Sequence, residues 1–111
     1  MKIYMFVDTP DLGEKEAAAI EALQAWVGED NPHATFIDNR EGEWKLGIEL
    51  EMKKPKFLTS PLNDMYAFAK DYKCNFVVGY IDNNTYEDVC YFGKDEGKPD
   101  PFAIACYLGF E

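Results

Sequence analysis

Between Asp82 and Asp100 the chain sets six carboxylates against two lysines and interleaves them with Tyr86, Tyr91 and Phe92. Carboxylates among tyrosines are the residue types that recognise a cation, because acids steer a positive partner and aromatic rings anchor it. Tyr86, Glu87, Asp88, Tyr91, Asp95 and Glu96 are therefore the candidate partner-binding residues, and a basic protein is the partner they suit. Asp82 and Asp100, at the two ends of the stretch, read as a hairpin residue and a helix cap.

A second group lies far away in sequence. Glu49 and Glu51 share one face of a strand, about 7 Å apart by strand geometry, and Tyr4 and Phe6 share a face of another. Together Tyr4, Phe6, Glu49 and Glu51 form an alternative site for a small cationic or aromatic ligand. A third possibility, a small enzyme, would draw on Glu49, Glu51, Asp88 or Tyr80, but alternating glutamates more often mark the wet side of a strand than a catalytic pair.

Other constellations have simpler explanations. Asp82, Asn84, Tyr86 and Asp88 imitate the alternating oxygens of a calcium loop. However, Glu87 stands where that loop needs glycine and Gly93 where it needs a bidentate glutamate, so a hairpin is expected. Asp8 and Thr9 end a strand before a helix, yet no glycine-rich loop follows and Asp11, Glu14 and Glu16 would repel a phosphate. His33 is the single histidine and reads as a turn residue; Arg40, the single arginine, balances the acids around it. Lys53, Lys54 and Lys56 form a basic cluster too small to hold nucleic acid. No metal or cofactor is expected.

Charge narrows the partners. Eleven basic and 21 acidic residues leave a net charge of -10, which opposes direct contact with nucleic acid or an anionic membrane. Cys74, Cys90 and Cys106 are evenly spaced, odd in number and without a CxxC pair; they read as small core residues of a reduced, cytoplasmic protein. The opening MKIYMFVD holds five consecutive apolar residues, a strand rather than a signal peptide or membrane span.

The elements that must position these residues fit one domain over residues 1–111. Ile3, Met5 and Val7 alternate with Tyr4 and Phe6 in a strand apolar on both faces, hence central. Thr9 and Pro10 open a helix whose buried positions are Ala19, Ile20, Leu23, Trp26 and Val27, and Gly28 stops it. Strands follow at Ala34–Asp38 and Trp44–Met52. Ser60 and Pro61 cap a second helix with Leu62, Met65, Tyr66, Ala69 and Tyr72 inward.

Phe76–Ile81 and Tyr86–Phe92 form a hairpin about Asn83-Asn84, pairing Ile81 with Tyr86, Gly79 with Asp88, Val78 with Val89 and Phe76 with Tyr91. A flexible acidic loop leads to a last helix, capped by Asp100 and carrying Phe102, Ile104, Ala105 and Leu108. This α+β order resembles a ferredoxin-like βαββαβ sandwich extended by a C-terminal strand and a short helix. Both main helices would cover one sheet face, leaving the other to close by homodimerisation or by a partner.

Overall fold

The computed structural model describes residues 1–8, 12–29 and 31–109. Thr9, Pro10 and Asp11, expected to open the first helix, lie outside the described residues. Among the described residues the fold is α+β, with a five-stranded antiparallel sheet and three α-helices.

Strand β1, Lys2–Asp8, lies at the centre of the sheet. Its five apolar residues are all buried, as two covered faces require. A 3-10 turn at Gly13–Lys15 leads into helix α1, Glu16–Val27. Strands β2 (Ala34–Asn39) and β3 (Lys45–Glu51) follow, then a 3-10 turn at Pro55–Phe57 and helix α2, Thr59–Tyr72. Strands β4 (Asn75–Asp82) and β5 (Thr85–Gly93) and helix α3 (Pro101–Leu108) come next. The sheet runs β2-β3-β1-β4-β5.

Ile3, Met5 and Val7 point to the helical side and join Leu23, Leu62, Met65, Phe76, Phe92 and Ile104 in one core. Tyr4 and Phe6 therefore face the side without helices.

Several expectations need correction. Ser60 does not cap α2: the helix begins two residues earlier than expected, at Thr59, and the Leu58 carbonyl accepts from the Leu62 amide at 3.1 Å while the Leu58 side chain is fully buried. Among the described residues no side chain supplies a capping hydrogen bond at that helix start. On the same helix Phe68 is buried and packs on Tyr72 and Phe76, whereas Tyr66 and Tyr72 are half-buried. Phe102 is 80% exposed and Cys106 is exposed as well, because α3 inserts only Ile104, Ala105 and Leu108. Cys74 alone among the cysteines is fully in the core, and burial pushes its thiol up to about 11.

The hairpin turn is as expected. Asn83 and Asn84 both have positive φ, 50° and 62°, the pattern of a two-residue turn that matches strand twist. Ile81 pairs with Tyr86 and Gly79 with Asp88, but Val78 faces Cys90 and Phe76 faces Phe92. Val89 is the extra residue of a β-bulge. The bulge has a clear cause: Tyr86 and Phe92 have the same strand parity, yet Tyr86 belongs on the open face and Phe92 is fully buried against Phe76, at 5.5 Å between rings. One inserted residue lets each side chain reach its own face.

Candidate functional site

The open face of the sheet carries an aromatic floor. Tyr4 and Phe6 are two residues apart on β1 and so stack on one face, with ring centroids 4.8 Å apart. Tyr86 reaches over both from β5, 5.4 Å from Tyr4 and 5.9 Å from Phe6. This cover explains why Tyr4 is 1% exposed on a face that no helix protects.

Gly79 makes the arrangement possible. It lies between Tyr4 and Asp88 in the register, and a Cβ there would collide with the Tyr4 ring and the Glu87 carbonyl. The Tyr4 ring lies down over the glycine, and its hydroxyl donates to the Asp88 carboxylate. Burial first, and then this hydrogen bond and charge, raise the Tyr4 phenol far above the ordinary tyrosine range, so it stays a neutral donor.

Beside this floor is a groove of about 520 Å³ whose acidic walls are Asp8, Glu43 and Asp88. Trp44, Lys45 and Tyr91 also border it. Tyr91 reaches the groove because of the Val89 bulge; in an unbroken register it would face the core. Glu49 lies opposite Tyr4 across β3, with the Lys2 ammonium 4.0 Å away. The Tyr86 phenol is raised by burial and then by the nearby negative Glu49. The Lys45 ammonium sits 3.6 Å from the Tyr86 ring centroid, a close cation–π contact.

The two candidate groups, separate in sequence, thus meet in part. Tyr86, Asp88 and Tyr91 come together with Tyr4, Phe6 and Glu49. Glu51 does not join them: it is held by the Met1 amino group at 3.3 Å. Glu87 alternates away from Tyr86 and Asp88.

Asp95 and Glu96 belong to a separate structure. Their amides donate to the Asn75 side-chain oxygen at 3.0 and 3.1 Å, and Gly93 and Gly97 exchange backbone hydrogen bonds at 2.9 and 2.8 Å. The loop expected to be flexible is tied to the start of β4. Tyr80 packs on the helical side, away from Glu49 and Asp88.

Glu43 and Trp44 border the groove without having been nominated from the sequence, while Asp8, weighed there only for phosphate chemistry, and Lys45, on the same strand face as Glu49, join them. Trp44 precedes β3 and Lys45 begins it, and nothing in their spacing indicates that they border β5 residues across the sheet. Arg40 does balance its neighbours, bonding Asp38 at 3.2 Å and Glu16 at 3.5 Å while stacking 4.1 Å from Trp44. His33 is an exposed turn residue whose amide donates to Asn31.

Comparison of the chain with protein-family models, curated proteins and solved structures returns no match. No helix among the described residues is long and apolar enough to cross a membrane.

Proposed function

We propose that this chain is a non-enzymatic binding protein that takes a basic protein partner on its open sheet face. A lysine or arginine of the partner enters the groove beside Tyr86 and is steered there by the acidic walls. The observation that carries this reading is the convergence of Tyr4, Phe6 and Tyr86 with Asp8, Glu49 and Asp88 on one face of a chain with net charge -10. Aromatic rings supply the anchor and the excess of acids over bases supplies the steering.

A small cationic ligand is the second reading, favoured by the groove's volume, which lies within the range typical of small-molecule sites. The architecture is read as a single ferredoxin-like domain extended by β5 and α3. The order β2-β3-β1-β4, with α1 and α2 as crossovers, supports it. Free thiols at Cys74, Cys90 and Cys106 fit a reducing cytoplasm.

The test is titration with fluorescently labelled hexalysine at low and moderate salt. Binding should weaken as salt rises, and Tyr86→Ala or the Glu49→Gln/Asp88→Asn pair should weaken it roughly tenfold. Affinity indifferent to both salt and these substitutions would refute the proposal.

A further inference from the structure

The groove already holds a cation of its own. Lys45 extends from the first position of β3 to the Tyr86 ring, 3.6 Å from its centroid. None of the four ion pairs among the described residues includes it, although the chain has 21 carboxylates. An ammonium in so acidic a protein that rests on a ring instead of a carboxylate marks that ring as a favourable cation seat.

We propose that Lys45 occupies, in the unbound protein, the seat that a partner's ammonium or guanidinium takes in the complex. Binding is then an exchange: the lysine swings into solvent on its flexible stem as the incoming cation meets Tyr86. This rests on the reading of the open face as a cation-binding surface and adds how that face is kept when free. Covering the ring with a tethered lysine shields the tyrosines between binding events. It also lowers affinity for any single weak cation, because each must displace the resident one. Selectivity for a partner with several basic groups follows, since the acidic walls remain to hold the others.

Three variants separate the possibilities. Lys45→Met keeps the stem and removes the charge, Lys45→Arg keeps a tethered cation, and Lys53→Met removes an equal charge remote from the groove. Labelled hexalysine and tetramethylammonium are the probes. Lys45→Met should bind both roughly two- to fivefold tighter than the parent protein, the advantage of one displaced cation–π contact. Lys45→Arg should resemble the parent, and Lys53→Met should gain less than Lys45→Met.

By NMR, the Lys45 ε-methylene protons should resonate upfield under the Tyr86 ring and move to free-lysine positions as tetramethylammonium is added. Equal or weaker binding by Lys45→Met, or upfield shifts that persist in the complex, would overturn the exchange while leaving the cation-binding face standing. Absence of binding by every form would overturn both.

Discussion

Tyr4 is the residue on which the open face depends. Its hydroxyl is buried, and the Asp88 carboxylate is its acceptor. Tyr4→Phe removes one hydrogen bond to a charged group while Asp88 remains in reach of water, so a loss of about 1–2 kcal/mol is expected at neutral pH from urea unfolding. The pH dependence has a definite sign. The folded phenol is raised above the unfolded value of about 10, so its stabilisation is complete below pH 10 and is lost as pH rises further. The stability gap between the parent and Tyr4→Phe should therefore narrow as pH rises from about 10 toward 12. A gap constant over that interval would mean that the phenol titrates normally.

At the scale of elements, the β5 bulge decides which side chains face the groove. Because Val78 pairs with Cys90 and Gly79 with Asp88, Val89 has no partner in the ladder. Deleting it should leave a regular hairpin with Tyr91 and Phe92 on their present faces. The cost should be about 1 kcal/mol, the partial burial of one valine. Chemical denaturation and a Val78–Cys90 contact by NMR test this; a protein that unfolds or turns Phe92 outward would contradict it.

The turn itself was legible in the sequence, since two asparagines accept the positive φ that Asn83 and Asn84 adopt. So was the cap of α3, where Asp100 accepts from the Phe102 and Ala103 amides at 3.1 and 3.2 Å. These are local signals, read within a few residues. The bulge was not legible, because it reconciles Tyr86 packing on β1 with Phe92 packing on β4, two contacts invisible to a pattern of alternation. For the same reason Tyr4, Phe6, Tyr86 and Asp88 could be nominated one strand at a time, but their meeting depended on the order β2-β3-β1-β4-β5. Asp95 and Glu96 misled in the opposite sense: acidic composition suggested a free loop, and the Asn75 side chain holds it.

For the whole molecule, charge repulsion opposes compactness. Four ion pairs among the described residues offset only a few of the 21 carboxylates, and none of the paired side chains is fully buried. Screening the excess negative charge should therefore stabilise the fold more than it weakens those exposed pairs. Thermal unfolding followed by circular dichroism should move upward by several degrees as sodium chloride is raised from roughly 0.02 to 0.5 M, where the screening length falls from tens of ångströms to a few. A downward shift would show that the ion pairs outweigh the repulsion.

The position of β5 at the margin of the sheet gives its bulge one more role. An unpaired strand edge is a template on which another chain can add, the first step toward fibrous aggregates. Here the template is interrupted at Val89, and just before it stand the exposed acids Glu87 and Asp88. Two such margins brought together would be mismatched in register and would set like charges against each other. The irregularity that selects the side chains of the groove thus also makes this edge a poor seed for polymerisation.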